Sequence, residues 1–203
     1  VGVFEKGKAD VKFTARSNGG HASAPSKGTP IARLSAFVNE VETHSPFRKK
    51  LLPEVSAMFT ELAPYAGFGM KLVFGNVWLF GPVLKAVMPA ISAQAGAMLK
   101  TTIAFTVQKG SDAYNVLPQE AYVGANMRFI PHQGEKESLE IIKKVAGKYG
   151  LETEVLHAND YTPPVDIHGE AFHLVEQTIA DTFPGLPSSP YVMTGATDAQ
   201  FYQ

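Results

Sequence analysis

Three side chains of this sequence have the type and setting to act on a small polar molecule. They are His21 in SNGGHASAPSKGTP, Asn115 in AYNVLP and Arg128 in NMRF. An imidazole exchanges a proton near neutral pH, an amide both donates and accepts, and a guanidinium forks onto a carboxylate. Two glycines before His21 permit unusual backbone angles, and Ala22, Ser23 and Ala24 after it leave room for a ligand. Each residue also has a plainer reading. His21 could cap a loop backbone group, Asn115 could be a turn residue ahead of Pro118, and Arg128 could be a solvated face residue. The stretch TGATD, 194–198, reads as a strand end with a glycine turn, or as main-chain N–H groups around Gly195 near a ligand.

Other catalytic signatures are missing. His44, His132, His157, His168 and His173 form no strong metal-ligand spacing, His168-Gly-Glu170 being a weak pair, and HExxH and HxD do not occur. No GxSxG elbow or phosphate-binding loop is present. With no cysteine, disulfides, thiolate nucleophiles and Cys-type zinc sites are excluded, and a reducing, cytoplasmic setting is the expectation. No metal site is expected within these residues.

The elements that must position the three side chains are readable from periodicity. Residues 11–16, VKFTAR, alternate with Val11, Phe13 and Ala15 on one side, a half-buried strand. Thr29 and Pro30 open a helix whose stripe is Ile31, Leu34, Val38 and Val41. Residues 101–107 are β-branched and strand-like, and KGSDAYNVLPQE is a loop. Residues 121–129 alternate again, with Asn126 and Arg128 opposite the core side. A helix over 135–149 carries Leu139, Ile142, Val145, Ala146 and Tyr149 and stops at Gly150; LETEVLHA is a last strand. The order β-α-β-β-α-β predicts an α+β, ferredoxin-like sheet with both helices on one face. Its other face, bearing Asn126 and Arg128, is left open.

A segment at 45–100 interrupts this order. Its prolines predict several short helices. The stretch 72–99 is very apolar, with Lys85 as its only charge. Its length raises the question of a membrane span, which needs about 20 apolar residues. Gly75, Asn76, Gly81, Pro82 and Pro89 interrupt it, so packed helices are expected and a membrane partner is not. After 161 the style changes: GEAFHLVEQTIADTF is helical, and SSPYVMTGATDAQFY is a strand running into a glycine turn. The abrupt ends suggest part of something larger.

Composition narrows the class. Hydrophobic residues make up 45% and charged residues 18%, which argues for a globular chain. The net charge of −1, with scattered lysines and arginines, gives no basic patch for nucleic acid.

Taken in order, KGKADVKFTARSNGGHASAPSKGTPIARLSAFVNEVE, TTIAFTVQKGSDAYNVLPQEAYVGANMRFIPH and YVMTGATDAQFY resemble the zinc-dependent exopeptidase family of carboxypeptidases, aminoacylases and dipeptidases. The carboxypeptidase S and N-acyl-amino-acid hydrolase branch is the most similar. The resemblance implies that 8–160 is a lid and dimerisation domain with a helical insertion at 45–100. Residues 1–7 and 161–203 would be pieces of a partial α/β catalytic domain. It implies two zinc ions in the full-length enzyme, with ligands and a general-base glutamate outside this chain. It implies a homodimer acting on a small molecule with a free carboxylate, a dipeptide or an N-acyl amino acid. His21 would reach a partner's active site and stabilise an oxyanion. Asn115 would orient the substrate, Arg128 would clasp its carboxylate, and Gly195 would line the pocket. This chain alone would hydrolyse nothing. A ligand-binding ferredoxin-like module, or an interaction or membrane-surface module built on 72–99, are the rivals.

Overall fold

The computed structural model describes residues 1–195 together with Thr197 and Asp198. In chain order the elements are β1 (Gly2–Glu5), β2 (Gly7–Arg16), β3 (Gly20–His21), α1 (Pro30–Thr43) and α2 (Pro53–Leu62). A 3-10 turn (Ala63–Tyr65), α3 (Phe68–Phe74), α4 (Val77–Ile91), α5 (Ala93–Ala97), β4 (Thr102–Lys109) and β5 (Val116–Leu117) follow. Then come β6 (Glu120–Phe129), α6 (Glu135–Lys148), β7 (Glu152–Asn159), α7 (Glu170–Thr182) and β8 (Tyr191–Met193).

Strands β2, β4, β6 and β7 form one sheet in the order β4-β6-β2-β7, every neighbour antiparallel. With α1 and α6 packed on one face, this is the expected ferredoxin-like α+β arrangement. Ala9, Val11, Phe13 and Ala15 of β2 and Ala121, Val123, Ala125, Met127 and Phe129 of β6 meet the two helices in a continuous core. The period of two, read from the sequence, therefore marks the correct face of both strands. Strand β2 begins four residues before the alternation of 11–16, because Gly7 and Ala9 hold the register with too little apolar bulk to announce it.

Helix α1 differs from its predicted stripe. Leu34, Phe37 and Val41 are buried, whereas Ile31 is 41% exposed. Phe37 sits 4.7 Å from Phe13 and edge-on to Phe105 at 5.5 Å between ring centroids. An aromatic ring buries more area than a branched aliphatic, so the helix rotates to seat Phe37 rather than Ile31. Thr29 occupies the position before α1, but its side chain makes no cap hydrogen bond. Pro30 fills the first turn, as its locked φ favours.

The insertion at 45–100 is a set of short helices, as expected. Pro82 and Pro89, however, lie inside α4 rather than between helices. Exposed Pro82 leaves the Trp78 carbonyl without its helical partner on the solvent side, where water can satisfy it. The inward stripe of α4, Val77, Leu84 and Met88, joins α2 in a second core that also contains Val3, Phe4, Ile130, Phe172 and Val192. Strands β1 and β8 pair in parallel in their own two-stranded sheet. The segments before β2 and after β7 therefore meet each other, and Val165 N–H donates to Val3 at 2.8 Å to tie them further.

Candidate functional site

The loop after β2 is bent back by Gly19 (φ 69°) and Gly20 (φ 145°), angles that side chains other than hydrogen rarely adopt. That turn lets Gly20 and His21 form β3, which pairs with β5 of the second loop. His21 lies opposite Val116, and Ala22 N–H donates to the Asn115 carbonyl at 2.9 Å. Two loops far apart in sequence are thus laced together, and His21 and Asn115 become neighbours. Neither β3 nor β5 was legible in the sequence, since two-residue strands carry no period.

His21 is exposed, and so is Asn115. The Ser23 N–H donates to His21 Nδ1 at 3.2 Å, and Ser23 Oγ lies 2.8 Å from the same nitrogen. A backbone N–H can only donate, so Nδ1 is an acceptor. This assigns the proton of the neutral ring to Nε2. The imidazole therefore presents an N–H donor, held by its own loop.

Arg128 lies elsewhere. It pairs with Lys8 on β2 and with Thr102 on β4, whereas the loops of His21 and Asn115 extend from the end where Arg16 meets Glu120. Eight strand residues separate those ends, roughly 26 Å at the usual strand rise. Arg128 is half-buried on the open face rather than freely solvated. Its Nε donates to Asn126 Oδ1 at 3.0 Å, and Asn126 Nδ2 donates to Asp10 Oδ1 at 2.7 Å. The Asn126 bond, with help from Lys8 at 3.2 Å, holds the Asp10 carboxyl below its ordinary value. Among the described residues the terminal guanidinium nitrogens have no partner, so a fork of the right shape for a carboxylate is held in place by its Nε.

The TGATD loop is at the Arg128 end. Glu5, three residues before Lys8, is buried, and its carboxylate accepts from both the backbone N–H and the hydroxyl of Thr197. Gly195 is exposed in this tethered loop, while Ala196 falls outside the described residues. Glu5 was missed in the sequence. The only signal was a charged Glu-Lys pair between two strand-like segments, where apolar residues would be ordinary.

Lys6, the other half of that pair, is 2% exposed. Its ammonium donates to the carbonyls of Ala97 and Lys100, both at 2.9 Å. Burial, and then the nearby positive charges of Arg128 and Lys100, lower its pKa to about 7 from 10.5. Between those values the unfolded chain binds the extra proton, so stability rises with pH. His132 is also lowered by burial and acts in the same direction, but only below its ordinary 6.5. Raising the pH from 7 to 9 should therefore add roughly 2–3 kcal/mol to the unfolding free energy. Urea melts at the two pH values would measure it, and Lys6→Met should flatten the profile. An equally steep profile in that variant would assign the effect to another group.

No three His, Asp or Glu side chains come together among the described residues. The described residues do not fit a dinuclear zinc site.

Residues 3–154 match the M20 peptidase dimerisation domain. The chain is 30% identical over 210 residues to the N-fatty-acyl-amino acid synthase/hydrolase PM20D1 of Xenopus tropicalis, covering 100% of this chain and 40% of that protein. It is 27% identical to the probable carboxypeptidase S-like 2 of Dictyostelium discoideum, covering 100% of this chain and 38% of that one. It spans about two fifths of the length of these curated relatives. Among solved structures it superposes on the dipeptidase Dug1p of Saccharomyces cerevisiae with a TM-score of 0.61 at 12% identity, over 99% of this chain and 46% of that one. Human carnosine dipeptidase 1 gives 0.60 at 12% identity, again over 99% and 46%. At such identity the likeness speaks for the fold alone, and that fold is the four-stranded, two-helix sheet described above. With the sequence match covering β2, β4, β6 and both helices and ending early in β7, and the geometry agreeing, the chain belongs to the M20 peptidase dimerisation domain family.

Proposed function

We propose that this chain is the lid and dimerisation part of a longer zinc-dependent amidohydrolase that cleaves the amide bond of N-acyl amino acids or dipeptides. Residues 8–160 form the lid, and 1–7 with 161–203 belong to the catalytic domain. The pairing of β1 with β8, apart from the lid sheet, supports that division for the sheet, while α2 and α4 of the insertion share a core with β1, α7 and β8. In this reading zinc would supply the activated water, held by residues outside the two fifths of the relatives' length that this chain matches.

One observation carries the reading. His21 and Asn115 sit at one end of the sheet and Arg128 at the other, so no single protomer can bring them onto one small substrate. A two-fold axis can. Among the described residues strand β4 has no neighbour on its outer edge, beside a groove lined by Val38, Phe105 and Val107 between it and α1. Two copies pairing their β4 edges antiparallel form a continuous eight-stranded sheet. Antiparallel pairing sets the Lys109 end of one β4 against the Thr102 end of the other. That carries His21 and Asn115 of one protomer toward Arg128 of its partner. There the Nε2–H donates to the oxyanion that forms as the amide carbonyl is attacked, and Arg128 binds the free carboxylate.

The test is the oligomeric state. Val38→Glu with Val107→Glu places like charges across the two-fold axis, at a cost of several kcal/mol. The dimer should weaken by about a hundredfold or more in analytical ultracentrifugation. An unchanged dimer would place the interface elsewhere.

A further inference from the structure

Helix α4 is apolar except for Lys85, yet only one side of it is covered. Val77, Gly81, Leu84 and Met88 face the second core. Trp78, Leu79, Pro82, Val83, Val87 and Ile91 recur at helical spacing on the opposite side, and all are exposed. Trp78 is 82% exposed, and Phe68 on neighbouring α3 is 90% exposed. An uncovered apolar stripe of this length marks an interaction surface rather than an ordinary exterior.

The charges around it indicate the chemistry of what it meets. Neither α3 nor α4 contains an Asp or Glu, whereas Lys71 lies in α3 and Lys85 in α4. Elsewhere the surface mixes both signs, as in the Arg16 pairs with Glu120 and Glu152. Two helices that are apolar on this face, carry a tryptophan, and include lysines but no carboxylates complement a layer of anionic headgroups over acyl chains. It is not built to cross that layer. Among the described residues no single helix is long and apolar enough, and α3 and α4 are bent 108° from one another. The inner stripe of α4 is also seated on protein, so only one side is available to lipid.

We propose that α3 and the outer face of α4 dock this protein on the surface of an anionic lipid layer, with Trp78 and Phe68 entering the headgroup–acyl boundary and Lys71 and Lys85 above it. This does not depend on the catalytic reading.

The chain holds one tryptophan, Trp78, so its fluorescence reports on this face alone. Vesicles of phosphatidylcholine with phosphatidylserine should float the 203-residue chain and shift its emission to shorter wavelength, and pure phosphatidylcholine should do so far less. Replacing Lys71 or Lys85 with glutamine should lower partitioning about fivefold each. Leu79→Glu with Val83→Glu should abolish flotation without altering circular dichroism. The longer protein should float as the chain does. No shift with either vesicle, or binding that ignores headgroup charge, would overturn the proposal. A concentration-dependent shift without vesicles would give the face to a second copy. Flotation of the chain but not of the longer protein would mean the face is an internal contact.

Discussion

In the proposed full-length amidohydrolase, His21→Ala is expected to lower kcat by about 10²–10³ while KM changes little, the usual effect of removing one oxyanion donor. The expectation rests on the exposed ring and on the Ser23 N–H bond to Nδ1 that turns Nε2–H outward. An interaction made only as charge develops affects turnover, not ground-state binding. The sharper form uses two inactive variants. A His21→Ala protomer still has its own Arg128, and an Arg128→Ala protomer still has its own His21. In a mixed dimer one site then receives a complete set and the other receives neither. With random assortment, half the dimers are mixed and half their sites are whole, so about a quarter of the wild-type activity should return. No recovery after verified subunit exchange would mean that His21 serves its own chain, and the crossed arrangement would be wrong.

The second large effect is at Arg128. Hydrogen bonds to a charged group contribute about 1.5–3 kcal/mol each, so loss of a two-pronged contact should lower kcat/KM by about a hundredfold or more for a substrate with a free carboxylate. The matching carboxamide substrate should be nearly unaffected. Arg128→Lys keeps the charge but loses both the fork and the Nε bond to Asn126, so it should recover only part of the activity. Comparing the two substrates across the three proteins measures this directly. Equal losses on carboxylate and carboxamide would assign Arg128 to holding the sheet face, through Asn126 and Asp10, rather than to recognition.

Both predictions use residues that stand out in the amino-acid sequence, because each sits in a local pattern with a physical cause. A glycine pair ahead of His21 signals a reversed loop, and both glycines take positive φ. Alternation over 121–129 determines which way Arg128 faces, since a strand has only two sides. Where two local signals compete, the sequence is ambiguous. In α1, Ile31 and Phe37 both suit a buried stripe, and only the position of the sheet beneath decides between them. Pro82 and Pro89 are breakers by propensity, yet packing of the inner stripe of α4 keeps that helix whole. Glu5 and Lys6 give almost no signal, because a buried charge is explained only by partners such as Thr197 and Ala97, which lie far away in sequence.

Composition, periodicity and motif order by themselves determined the α+β sheet, its buried faces, the helical character of the insertion and the three side chains of interest. Those properties depend on neighbours within a few residues, where pattern and geometry are locked together. Tertiary structure alone decided that His21 and Asn115 lie side by side while Arg128 stands at the far end of the same sheet, and that one face of α4 is left uncovered. Both depend on strand order and on the packing of distant segments, and no local period encodes either.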